Sequence, residues 1–142
     1  MEVKIKLLPN GKIPTRGTGK AAGYDIYMKE DDVLQPFEGK TLNVGVCVQI
    51  PPNDWLDIRG RSSSFGRRNI LVILGTVDED YRGEVGVQLF NLSHNEVHIR
   101  KGERLAQFVL NGKDGGKPIE WILVDELDPS ERNTNGFGST GR

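Results

Sequence analysis

The stretch "TLNVGVCVQI", Thr41 to Ile50, restricts the fold more than any other part of the chain. Leu42, Val44, Val46, Val48 and Ile50 fall on one side, and Asn43, Gly45, Cys47 and Gln49 on the other. A period of two matches the pleat of a strand with one buried face. The same pattern recurs in "EVKIKLL", with Val3, Ile5 and Leu7 opposite Glu2, Lys4 and Lys6. It recurs again in "WLDIRG", "EVGVQLFN" and "RLAQFVL", while "NILVILG" and "IEWILVDEL" are short, nearly continuous apolar runs. Turn signals such as "PNGK", "PPND", "SHNE" and "RKGE" separate these pieces. Many short strands with turns about ten residues apart predict an all-β sandwich or barrel. The one helical piece begins after Ser62 or Ser63, either of which could cap it. From Pro129 the core pattern stops, so the spacing predicts a β core over 1–128 and a polar, glycine-rich arm over 129–142.

Charge excludes several functions. Lys plus Arg is 19 and Asp plus Glu is 20, giving a net charge of −1. A chain so balanced has no general electrostatic grip on nucleic acid or a membrane surface, although a local arginine cluster can still hold a small anion. No apolar run approaches the ~18 residues of a spanning helix. The start "MEVKIKLLPNGK" lacks the apolar stretch of a secretory leader, and the single cysteine, Cys47, fits packing in a reducing, cytoplasmic setting (a host cytoplasm for a viral source). His94 and His98 flank a turn without other ligands at metal spacing, which argues against a protein-ligated zinc.

Four stretches carry possible chemistry. "AAGYDIY" places Asp25 beside a strand start, either as a turn residue or as a carboxylate near a hydrated metal ion. "RGRSSSFGRR" combines arginine forks, hydroxyls and a helix start, all donors for phosphate oxygens, without the Gly-Lys-Ser/Thr of a Walker loop. "LGTVDEDYRGE" reads as a hairpin in which Asp78 and Asp80 share a face and Glu79 points away. Such a carboxylate is either part of an ordinary acidic turn or a base able to order and deprotonate water. "GERLAQFVL" sets Gln107 on a mostly apolar face with Leu105 and Val109, where a buried amide demands partners. The tail "RNTNGFGSTGR" cannot pack, yet it carries one ring, Phe137.

Five segments, AAGYDIY, GRSSS, GTVDEDYRGE, GERLAQF and GFGSTG, occur in that order between residues 21 and 141. In this set and order the chain resembles the trimeric dUTPase family. The resemblance implies a jelly-roll-like β-clip fold, a homotrimer with shared sites, an extended C-terminal arm, and hydrolysis of dUTP to dUMP and pyrophosphate with Mg²⁺. It implies that Gly75, Thr76 and Val77 hold uracil by main chain, and that Tyr81 packs on the deoxyribose against a 2′-hydroxyl. Asp78 matches the aspartate that activates water for attack at the α-phosphorus. Arg61, Ser62 and Ser63 match phosphate contacts, and Gln107 a glutamine near the phosphates and the water. Asp25 matches the aspartate that acts through water on Mg²⁺. Phe137 would stack over uracil, with Arg132, Gly138, Ser139 and Thr140 holding the γ-phosphate end.

Some positions depart from the family. Gly60 stands where a proline usually opens the second motif, the Arg61–Asp78 segment is short, and "LVIL" stands where many bacterial members carry a uracil-reading asparagine. Uracil recognition then falls to main chain alone or to Asn69. Asn133 and Asn135 stand where glycines are frequent. The dCTP deaminases share the fold, but their catalytic glutamate would fall at Gln88, and an amide cannot serve as the base. A dUTP-sensing regulatory protein on the same fold is the third reading, disfavoured by the intact Asp78, Gln107 and tail.

Overall fold

A computed structural model describes residues 1–135. Twelve strands and one short helix follow one another: β1 Glu2–Leu7, β2 Gly23–Tyr27, β3 Asp32–Leu34, β4 Gly39–Asn43, β5 Val46–Gln49, β6 Asp54–Gly60, α1 Ser62–Arg68, β7 Ile70–Val72, β8 Gly75–Val77, β9 Gly86–Asn91, β10 Val97–Ile99, β11 Arg104–Gly112 and β12 Glu120–Leu123. The strands build four small sheets, in the orders β12-β1-β5, β10-β3, β2-β11-β6-β8 and β4-β9-β7. Their inward faces close one core containing Ile5, Ile26, Leu56, Leu89 and Phe108. The all-β expectation therefore holds, with the architecture of a jelly-roll-like fold.

Phe108 is fully buried, and its ring lies 6.3 Å from that of Trp121, which meets Tyr24 edge-on at 5.7 Å. Truncating such a ring removes buried area and leaves a cavity. Phe108→Ala should cost about 3–5 kcal/mol, read as a lowered denaturant midpoint at unchanged slope.

Thr41 to Ile50 is not one strand. β4 and β5 belong to different sheets, and the chain breaks at Gly45, whose φ of 75° lies in the left-handed region. The two halves join through Val85, which accepts from Val44 N–H at 3.0 Å and donates to Val46 C=O at 2.9 Å. Glu84 fixes the break: its Oε2 accepts from Gly45 N–H and from Lys29 Nζ, each at 2.8 Å. Gly11 passes so close that a side chain on it would strike the Gly45 carbonyl. Beyond the break both faces are covered, so Cys47 is buried beside Val46 and Val48. Burial pushes its thiol above the ordinary range.

Two other local expectations change. Neither Ser62 nor Ser63 caps the helix: Arg61 holds the N-cap position in extended conformation without a side-chain cap bond. Ser64 instead turns inward and donates to the Leu105 carbonyl at 2.5 Å, which ties α1 to β11. The Leu74–Glu84 stretch is also not a simple two-stranded hairpin. β8 pairs with β6, whereas β9 pairs with β4 and β7, so the two arms serve different sheets.

Candidate active site

The sheet β2-β11-β6-β8 positions most of the chemistry. At its centre Gln107 lies opposite Asp25 on one side and Arg59 on the other. A bulge between Arg104 and Ala106 shifts the register, so Ala106, Phe108 and Leu110 take the core face. Gln107 is thus not on the apolar face its spacing suggested. It sits on the half-open side, where its Nε2 donates to the Gly60 carbonyl at 3.0 Å. Gly23 makes room for it, since a side chain there would collide with the Gln107 amide.

Asp25 is only 8% exposed, and burial of a charge requires partners. Arg61 Nε lies 3.1 Å from Oδ1, and Arg104 Nη1 lies 3.3 Å from Oδ2. Arg61 also donates through Nη1 to the Arg104 carbonyl at 2.9 Å. Arg104 belongs to the quoted motif "GERLAQF", but nothing in the spacing marked it as the partner of Asp25. The groove over α1 and the start of β11 is lined by Arg61, Ser63, Arg67, Arg68 and Arg104, with Ser62 exposed beside them. Arg68 is engaged by Glu103 and by the His98 carbonyl, as Arg61 is by Asp25 and the Arg104 carbonyl. Asn69 plays no part there: it ends α1 in the left-handed region, φ 52°, and donates its N–H to the Phe65 carbonyl at 3.0 Å.

A second concavity lies along β8. Gly75, Thr76, Val77 and Tyr81 line it, with Ile58, Val85, Gln88 and Arg132. β8 is an edge strand, so alternate residues point N–H and C=O away from β6 and into this space. Asp78 directly follows Val77, with its side chain about half exposed. The turn closes by Tyr81 N–H to the Asp78 carbonyl at 3.1 Å. Asp78 and Asp80 meet the same arginine across this turn: Arg132 Nη1 lies 2.6 Å from Asp78 Oδ2 and 3.6 Å from Asp80 Oδ1. Glu79 points the other way and accepts from Asn53 N–H.

Tyr81 is held on three sides. Its hydroxyl donates to the Glu84 carbonyl at 2.9 Å, the Arg132 guanidinium lies 5.2 Å from its ring centre, and a side chain on Gly83 would strike its hydroxyl. Burial pushes the phenol above its ordinary range, so the group remains a donor. Residues beyond the core strands reach this site as well, through Arg82 N–H to the Asn133 carbonyl at 2.6 Å and Arg82 Nε to the Asp128 carbonyl at 2.7 Å. Arg132, assigned by resemblance to the far phosphate end, here faces Asp78 and Tyr81 of its own chain. Phe137, Gly138, Ser139 and Thr140 lie outside the described residues.

An edge-strand pocket followed by a carboxylate pair, with a separate arginine and serine groove, marks a β-clip protein with one mostly apolar and one basic concavity. The family model of the dUTPases matches residues 9–141, and the chain belongs to that family. It is 39% identical over 148 residues to the deoxyuridine 5′-triphosphate nucleotidohydrolase of Nautilia profundicola, with all of both chains covered. With the Candida albicans protein of that name it shares 37% over 134 residues, covering 94% of this chain and 84% of that one. Among solved structures it is similar to the dUTPase of Staphylococcus bacteriophage 80alpha with dUpNHpp, at a TM-score of 0.74 and 28% identity, covering 99% of this chain and 98% of the other.

Proposed function

We propose that this protein is a dUTP diphosphatase that releases dUMP and pyrophosphate. The observation that carries the reading is Asp78, which directly follows the edge strand β8 of the pocket and is paired with Arg132 of the pocket's lining. A planar pyrimidine fits an edge strand because its own donors and acceptors can continue the ladder. The fixed Tyr81 ring then forms the wall beside the sugar. Asp78 holds a water and takes its proton as the oxygen attacks the α-phosphorus, and pyrophosphate leaves. Arg61, Ser62, Ser63 and Gln107 hold the triphosphate and balance its growing charge. Arg132 has an anionic partner either way, Asp78 before binding and a phosphate after it.

The residues fit a magnesium ion only in an outer role. Among the described residues no group of three or more His, Cys, Asp or Glu is placed to ligate one. Asp25 is already paired with two arginines, but a carboxylate keeps lone pairs for bound water. Asp25 would therefore orient the waters of an Mg²⁺ carried by the triphosphate, and the ion would supply charge neutralisation at the phosphates.

The pocket and the arginine groove are distinct concavities in one chain. A homotrimer in which the groove of one subunit faces the pocket of the next would unite them. The exposed apolar residues Phe65, Leu71, Ile73 and Leu74 fit a subunit contact. Native mass measurement tests this, with three chains expected. Tyr81→Ala should relax discrimination against UTP by roughly tenfold or more, measured as the ratio of kcat/KM values. Unchanged selectivity would place the sugar gate elsewhere. Release of ammonia from dCTP in place of pyrophosphate from dUTP would favour the deaminase chemistry that Gln88 argues against.

A further inference from the structure

Gln88 is a polar side chain that neither the core nor the mechanism above employs. On β9, Val87, Leu89 and Asn91 are buried, so Gly86 and Gln88 face the opposite way and line the β8 pocket, Gln88 at its border with a shallower concavity beside Thr41 and Lys40. Its main chain is fixed there, because Ile73 N–H donates to the Gln88 carbonyl at 2.9 Å. The other long polar side chains on the wall are committed. The Tyr81 hydroxyl is bound to Glu84, and Arg132 is bound to Asp78 at 2.6 Å and to the Asn135 carbonyl at 2.8 Å. The Gln88 amide makes no hydrogen bond among the described residues, and the concavity that it lines is otherwise walled by apolar Ile58, Ile73 and Val77.

We infer that Gln88 is a further substrate-binding residue that contacts the edge of the pyrimidine, its Nε2–H donating to the O4 carbonyl of uracil. The inference rests on reading the β8 pocket as the base site. Uracil presents two carbonyl oxygens flanking one N–H. The free edge of β8 offers main-chain groups to part of that edge, and a side-chain amide from the neighbouring β9 supplies the remaining donor. This also explains how "LVIL" can lack an asparagine: a longer amide enters from the next strand. An amide can turn and present its oxygen to an amino group, so Gln88 by itself tolerates cytosine. A glutamate at the same place is acceptor-only when ionised, which repels a carbonyl oxygen and favours an amino group.

The test is steady-state turnover of dUTP and dCTP with magnesium by the full chain and by Gln88→Leu and Gln88→Glu. Gln88→Leu should raise KM for dUTP about tenfold, the loss of one hydrogen bond, with kcat held within about twofold. Gln88→Glu should lower the dUTP-to-dCTP ratio of kcat/KM by roughly tenfold or more. The exposed side chain predicts unchanged thermal unfolding in both. If Gln88→Leu keeps its KM within about twofold and Gln88→Glu keeps the ratio, the assignment of Gln88 is wrong while the base site stands. If the unsubstituted protein releases no diphosphate from dUTP, the base-site reading falls and takes Gln88 with it.

Discussion

Asp78→Asn should lower kcat for dUTP by roughly a thousandfold while leaving nucleotide binding nearly unchanged. Removal of a positioned general base costs on the order of a hundredfold to ten-thousandfold. An amide keeps the shape of the carboxylate but takes no proton from water. The substitution is mild for the fold, since the side chain is about half exposed and its partner Arg132 can still donate to the amide oxygen. Diphosphate release gives kcat, and calorimetry with a non-hydrolysable dUTP analogue gives affinity. Turnover within tenfold of the unsubstituted protein would remove Asp78 from the role of base.

Deletion of residues 131–142 should leave the assembly folded and reduce kcat/KM by roughly a hundredfold to a thousandfold, the loss associated with missing phosphate donors. The core strands end at Leu123, and the described contacts of the deleted part lie outside the core, among them Arg132 with Asp78 and Tyr81 and the Asn133 carbonyl with Arg82 N–H. In the function proposed above, the same segment would bring Phe137, Ser139 and Thr140 to the nucleotide. Closure of this kind excludes water and strengthens each charged contact beneath it. Native mass and thermal unfolding check the fold, and product release checks activity. A truncated chain that no longer assembles would make the arm a structural element.

The all-β class was legible because alternation and turn residues are local properties. Asp78 and Asp80 were expected to share a face of an extended stretch; they do meet the same arginine, Arg132, but across a tight turn closed by Tyr81 N–H to the Asp78 carbonyl. What stayed hidden depends on partners distant in sequence. The alternation of Thr41 to Ile50 continues through Gly45 without a flaw, yet the chain changes sheets there because Glu84, Gly11 and Val85 converge on that residue. The apparent face of Gln107 was read from Leu105, but the bulge before Ala106 reverses Leu105 relative to the rest of β11. The hairpin reading failed for a related reason: β6 and β7 lie beside the arms and compete for their edges. Asp25 was recognised, whereas its two arginines were not, because they come from α1 and β11 and meet it only in the folded sheet. Asn69 looked available to a base, but it ends α1 and lines a different concavity from the β8 pocket.

The most direct measurement is mass analysis of the products when the purified protein acts on dUTP with magnesium in heavy-oxygen water. The account predicts diphosphate release well above a protein-free blank, with the heavy oxygen found in the phosphate of dUMP. Diphosphate no faster than the blank, or heavy oxygen found in the diphosphate, would contradict it.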